Sequence, residues 1–470
     1  MNMQAQEAFG ELIQGSFSGP GAVVNTVIVG GGPAGLAPLI SAARVGALDE
    51  VVSAGLVVVD GGETIGAGAI GRYGINSDST AETFLSCLKG ADPRLAGLLD
   101  HPLSVEVAAY GKGAVPLPLV GAFMDVVGAV LHRIVAENPR GSVLTGHQAL
   151  HVRQRPDGLL ETTLRDLRTG TTKAIVSNRV VLATGGHQPL ARVHTENVAG
   201  SPLLPLHAGK LVQSGDVLST RGMAEVQQRL ARCADPRVAI VGGSTSAIAT
   251  AHALLHNPGS PAFGERAVTV LHRRPLRVFY QSAEAALAEG YDEFGPEDIC
   301  PISGFVFRLG GFRTDSRELV MRARGIGGRP PEPRLALQQL RSGDDPASRG
   351  ILERADLIVS ALGYRPLALP VLDIQGEPVA LFAEGPTMAP LVDSRCRILD
   401  ASGAPIPGLL GIGLAAGFVP SGGLGGERSF VGQANGLWLW QNDIGALITD
   451  AIRQPAVPGV GDRLLELAAQ

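Results

Sequence analysis

The sequence is short of aromatic residues, of cysteine and of charge, and each shortage narrows what the chain does. Phe, Trp and Tyr make up 4% of its 470 residues, too few for the stacked platform that single-stranded nucleic acid requires. Charged residues reach only 18% and the formal net charge is −5. Short clusters such as Arg273-Arg274 do not amount to a nucleic-acid or anionic-membrane surface. The four cysteines (Cys87, Cys233, Cys300 and Cys396) form no Cys-x-x-Cys or Cys-x4-Cys pair. Neither a dithiol close in sequence nor a metal site is therefore expected. The N-terminus lacks a basic start followed by an apolar run, so no signal peptide is expected. One uncharged stretch of membrane length, Ile406 to Gly426, is crowded with glycine and carries Pro407 and Pro420. A spanning helix could not easily satisfy its backbone with that composition. The expectation is a soluble, cytoplasmic protein with no nucleic-acid or membrane partner. Hydrophobic residues, at 45%, are ample for large cores, and the length calls for at least two domains.

What the sequence does have is two nucleotide-binding fingerprints. Val27-Ile28-Val29 runs into Gly30-Gly31-Gly32-Pro33-Ala34-Gly35, an apolar strand meeting G-x-G-x-x-G, and Leu36 to Val45 reads as a helix. Gly30 allows the tight turn, Gly32 lets the backbone approach a pyrophosphate, and Gly35 lets helix and strand pack closely. A second buried strand, Leu56 to Val59, ends in Asp60-Gly61, an acid placed to accept from an adenosine ribose. Its distance from the glycines exceeds the usual ~20 residues, so an insertion is expected around Ala47 to Ala54.

The second fingerprint is Val238 to Val241 followed by Gly242-Gly243-Ser244-Thr245-Ser246-Ala247, a degenerate G-x-S-x-x-A leading into a helix at Ile248 to Leu255. Here the next strand, Ala267 to Leu271, ends in His272-Arg273-Arg274 instead of an acid, with Arg277 following. Arginines in that place accommodate a 2′-phosphate, so the second nucleotide is expected to be NADPH. Two further buried strands end in small-residue turns, Val180 to Gly186 with Thr184-Gly185, and Asp356 to Tyr364 with Gly363-Tyr364. These are where the chain is expected to pass between two nucleotide domains. The alternating stretch around Leu150 to Ala174 reads as a strand meander.

These landmarks, in this order, resemble the class B flavoprotein monooxygenases, and among them the amine N-hydroxylases that act on lysine and ornithine side chains. Asp356 and Ser360-Ala361-Leu362-Gly363-Tyr364 are similar to the D-x3-(L/F)-ATGY stretch of that group. Asp292 to Glu297 is similar to its N-E-x-F-x-P-E stretch, and His272-Arg273-Arg274 equally resembles the NADPH site of thioredoxin reductases. The resemblance covers about residues 25 to 450. It implies FAD at the first fingerprint and NADPH at the second, on an α/β fold of two Rossmann-like domains. The FAD domain is expected at 20–205 and 350–455, with an NADPH domain at 206–349 inserted in it. Two departures stand out. The terminal Gly-Asp motif for FAD appears as Leu410-Gly411-Ile412-Gly413-Leu414, without its Asp. The H-G-(L/I) turn of the N-hydroxylases is replaced by Ser421 to Ser429, with Gly425 in its glycine-rich part.

The segment Arg72 to Ser79 is expected to wrap the flavin, with Asn76 and Ser77 as orienting groups and Arg72 near the cofactor. Ser77-Asp78-Ser79 fits a cap for a helix at Ala81 to Leu88 equally well. His187 is a candidate for the crevice between the domains, and Asp292 or Glu293 for a substrate amine. A helix starting near Ser429, with Phe430, Ala434, Leu437 and Trp438 on one face, is expected to point its positive end at the flavin. The implied chemistry is hydride transfer from NADPH to FAD, a C4a-hydroperoxyflavin formed with dioxygen, and hydroxylation of a small-molecule primary amine. A reductase of the same fold feeding a carrier, and a non-catalytic nucleotide-binding protein, are the competing readings. Homo-oligomerisation is compatible with all of them.

Overall fold

The computed structural model describes residues 23–454 apart from 91, 342, 385–388, 415, 419, 421 and 433–443. Two nucleotide-binding units are built on separate sheets. In the first, Val23–Val29 (β1) turns at Gly30 into the helix Pro33–Arg44 (α1). The fully buried Leu56–Val59 (β2) then pairs parallel to β1. A six-residue helix, Leu48–Ser53, is the insertion that the long spacing to Asp60 requires. Beyond β2 the chain forms Asn76–Thr80 (β3), which pairs with Ala114–Pro116. The long strand Thr172–Leu182 (β4) has two roles. Its first half closes the antiparallel meander with Leu160–Asp166, and its second half lies parallel to β1.

The second unit repeats the plan. Val238–Val241 (β5) leads into the helix Thr245–His256 (α2), followed by Val268–His272 (β6), the helix Thr314–Arg324 (α3), and Leu357–Ser360 (β7). Its sheet is all parallel, in the order Leu211–Gln213, β7, β5, β6, Leu335–Gln339. The strand β7 lies beyond the boundary expected at 349 yet belongs to this sheet. Its four apolar-rich residues pair one for one with Val238–Val241, which holds it there. The chain crosses between units at Gly186-His187 and Arg365-Pro366, which pair as an antiparallel ribbon. It then rejoins the first sheet at Val371–Leu372, beside His147–Gln154, and again through Pro405–Gly411 (β8), parallel to β4.

Each sheet has its own core. Ile28, Leu36, Phe123 and Val181 belong to the first, and Ile240, Ile248, Leu254 and Val359 to cores of the second. The helix Leu117–Glu137 is long and apolar enough to cross a membrane, but its Val120, Phe123, Met124, Val127 and Leu131 are buried in the first core. At the expected start of the last helix, Arg428 and Ser429 form a turn. Ser429 is drawn to other partners, its N–H donating to the Glu297 carbonyl at 3.0 Å and its oxygens accepting from Arg277. Ala434, Leu437 and Trp438 lie outside the described residues.

Candidate functional site

The two fingerprints fold into the same device. Gly30 and Gly242 take φ of +105° and +146°, values that glycine adopts without strain. A Cβ on either would lie 2.3 Å from a carbonyl oxygen, that of Ala183 or Ala361. Each first glycine is thus pressed against the residue that precedes the Thr184-Gly185 or Leu362-Gly363 turn. The Gly35 position is tighter still, since a Cβ there would stand 1.7 Å from the Gly30 carbonyl oxygen. Both helices begin without a side-chain cap, at Gly32 and at Ser244, which leaves their first N–H groups for an anion.

In the first unit Asp60 Oδ2 accepts from the Gly31 N–H at 2.6 Å and Oδ1 from the Gly62 N–H at 2.7 Å. A carboxylate offers roughly four acceptor positions, so this tethered acid keeps capacity for ribose hydroxyls beside the exposed Gly61. Gly413, with φ of +108°, packs where a Cβ would meet the Ala34 side chain at 2.8 Å. The chain after β8 therefore touches the start of α1, next to Pro33. The glycine cradle, the uncapped helix and the tethered acid fit an FAD pyrophosphate and ribose. The missing terminal Asp leaves only backbone at Gly413-Leu414 for the ribityl side.

At the second unit Ser244 and Thr245 are exposed and Ser246 is half-buried. Arg273 and Arg274 are exposed at the end of β6, as recognition of a 2′-phosphate demands. Arg273 is held by Glu196 at 2.7 Å and Arg274 by the Val431 carbonyl at 2.9 Å. Arg277 turns inward instead, onto Ser429 and over the Phe307 ring.

A cavity of about 260 Å³ lies between the units. The first unit contributes Tyr73, Asn76, Ser77, Asp78 and Leu414 to its wall; Thr245, Ser246, His252, Asp315 and Tyr364 close it from the other side. Burial, with Tyr73 and Asp216 nearby, pushes the Tyr364 hydroxyl well above the ordinary tyrosine range, so it stays protonated. Asn76 Nδ2 donates to Asp315 at 2.8 Å. The Ser77 hydroxyl donates to the Ser79 carbonyl at 2.5 Å, which commits its proton inside the hairpin. Ser77, Asp78 and Ser79 do not cap the next helix, which begins at Ala81 behind Thr80 with no side-chain cap, runs to Leu85 and continues as a 3-10 turn through Leu88.

Several expected residues are elsewhere. His187 is exposed on the crossing ribbon opposite Arg365, outside the cavity. Its neighbour Gln188 turns inward and grips Ser214 Oγ and the Gly215 N–H, at 2.9 and 2.7 Å. The Arg72 side chain is exposed. So are Asp292 and Glu293, the latter paired with Arg324. The carboxylates that do reach the cavity are Asp78 and Asp315. No motif marks Asp315, because an acid in the first turn of a helix is ordinary.

Gly425 takes φ of +71° and packs against Cys300 and Arg308. Burial works against ionising the Cys300 thiol, but Ser303, Arg308 and the Gly426 N–H donate to it and bring it down to about 6. A thiol depressed from 9.0 in this way stabilises the fold fully above pH 9, and that contribution is lost as pH falls through about 6. Cys300→Ala is therefore expected to lower the thermal midpoint more at pH 9 than at pH 5, measured by calorimetry of the holoprotein.

Residues 24–295, more than half the chain, match the family described as pyridine nucleotide-disulphide oxidoreductase. The chain belongs to that family. It is 33% identical over 435 residues to the CMP-5′-(3-aminopropyl)phosphonate hydroxylase of Streptomyces rubellomurinus, covering 91% of this chain and 97% of the relative. The ornithine hydroxylase of Pseudomonas aeruginosa shares the fold with a TM-score of 0.52 at 15% identity, over 92% of this chain and 99% of that one. A cadaverine monooxygenase of desferrioxamine biosynthesis from Erwinia amylovora does so with a TM-score of 0.53 at 11% identity, over 93% and 97%. Within the family the chain is an FAD- and NAD(P)H-dependent oxidoreductase, a flavin monooxygenase by its likeness to the phosphonate hydroxylase. The family's disulphide chemistry finds no partner in the cavity: all four cysteines are free and none lines it.

Proposed function

We propose that this enzyme N-hydroxylates a primary amine carried by a small molecule, with an aminoalkylphosphonate bearing a cytidylyl group as the first substrate to test. The observation that carries the reading is the cavity between the two nucleotide-binding units, which has carboxylates in its wall and no cysteine. An enzyme that reduced a disulphide through its own dithiol would need two sulfurs there. The amine and its nucleotide handle are taken from the substrate in the relative's name.

When bound, FAD accepts hydride from NADPH and activates dioxygen; the protein positions and shields that chemistry. The uncapped starts of α1 and α2 hold the two pyrophosphates. Asp60 holds the ribose of FAD, and Arg273 with Arg274 holds the 2′-phosphate of NADPH. Tyr73, Tyr364 and Leu414 exclude water from the space between them, which protects activated oxygen from discharge as peroxide. The test is to incubate holoenzyme, NADPH and the amine under isotopically labelled dioxygen and weigh the product. A gain of one labelled oxygen on nitrogen is the expected result; a product without label sinks the reading and leaves a reductase.

A further inference from the structure

This inference rests on the amine-hydroxylating reading and names the groups that receive the amine. Besides its tyrosines the cavity holds three ionisable side chains: Asp78 on β3, His252 on α2 and Asp315 in the first turn of α3. Their surroundings differ. Burial raises the Asp78 carboxyl, and the Arg313 guanidinium facing it opposes that rise. Asp315 has no such partner, and among the described residues no lysine or arginine forms an ion pair with it. Asn76 Nδ2 donates to its Oδ2 at 2.8 Å, and His252 Nδ1 stands 4.0 Å from the same oxygen. Burial holds the His252 imidazole below its ordinary range; Asp315 opposes this and Arg322 adds to it. His256 lies against His252 with ring centroids 4.7 Å apart and faces Glu332 at 3.7 Å. The cavity thus presents one carboxylate lacking a cation, beside an uncharged base.

We propose that Asp315 receives the substrate's ammonium group and that His252 takes its proton, delivering the nitrogen as a free amine. An ammonium nitrogen has no lone pair and cannot bond to oxygen. Breaking one N–H bond leaves the electron pair on nitrogen, and the proton goes to an imidazole nitrogen of His252. From there His256, whose side chain is 29% exposed, gives the proton a way to water. Charge-assisted contact with Asp315 also selects the substrate, because an uncharged alcohol of the same shape would leave the carboxylate unpaired.

The test uses holoenzyme and CMP-5′-(3-aminopropyl)phosphonate, with flavin content measured first for every variant. If the wild type binds and hydroxylates no amine, the functional reading fails and this inference with it. If the wild type does hydroxylate the amine, Asp315→Asn is expected to weaken amine binding by calorimetry at least about tenfold, roughly the worth of one hydrogen bond to a charged group. Asp315→Glu, which keeps the charge, is expected to restore most of that binding. His252→Gln is expected to lower kcat about a hundredfold at pH 7, as loss of a general base does. Its rate should climb back as pH approaches the amine's own pKa of about 10, where solution supplies free amine. Unaltered binding in Asp315→Asn overturns the proposal, as does Asp315→Glu failing like Asp315→Asn. So does a His252→Gln profile that parallels the wild type.

Discussion

Gly35→Val is expected to yield protein that has lost its FAD. A Cβ at this position would stand 1.7 Å from the Gly30 carbonyl oxygen and 3.3 Å from Ile28 Cγ2. The first obstacle is backbone, so no side-chain rotation relieves it and α1 must move away from β1. That movement carries the first-turn N–H groups away from where the pyrophosphate sits. Overpacking costs typically ~1–3 kcal/mol, and each ~1.4 kcal/mol is tenfold in binding. Flavin retained per chain after gel filtration should fall about tenfold or more. The second unit has its own core, so binding of NADP⁺, followed by calorimetry, should survive. Flavin retained at the wild-type level would mean that the first fingerprint is not the FAD site.

The next largest effect is expected at the second nucleotide. Arg273→Ala combined with Arg274→Ala should raise KM for NADPH about a hundredfold and leave KM for NADH nearly unchanged. Hydrogen bonds to charged groups are each worth ~1.5–3 kcal/mol, and two of them at the lower bound give that factor. Glu196 adds a signed control, since it holds Arg273 at 2.7 Å and must release it to a phosphate. Exposed ion pairs are worth ~0.2–1 kcal/mol, so Glu196→Gln should lower KM for NADPH by up to about fivefold. Equal effects on NADPH and NADH in the double variant would remove the 2′-phosphate from the account.

Much of this fold was legible in the sequence because its glycines have a single steric purpose. Gly30, Gly35 and Gly242 are spaced by the geometry of a strand, a turn and a helix, and that geometry is local. The insertion at Leu48–Ser53 followed from the same arithmetic. The strand β7 pairs with β5 although it lies past the boundary expected at 349, because an apolar run such as Leu357 to Val359 does not state which neighbour it pairs with. The cavity was the least legible part. Its wall joins β3, α2 and α3, segments far apart in the chain, and Asp315 reads in isolation as an ordinary helix-start acid. His187 looked promising because it follows the Gly185-Gly186 turn, yet ribbon pairing with Arg365 turns it to solvent.

The most direct test of the central claim follows NADPH consumption and hydrogen peroxide together in one tube of yellow holoenzyme. Primary amines are added one at a time, beginning with CMP-5′-(3-aminopropyl)phosphonate and including ornithine and lysine. The account predicts an amine that accelerates NADPH loss while peroxide falls well short of it, the difference appearing as hydroxylated amine. Peroxide equal to NADPH with every amine, or NADPH loss that no amine alters, would contradict it.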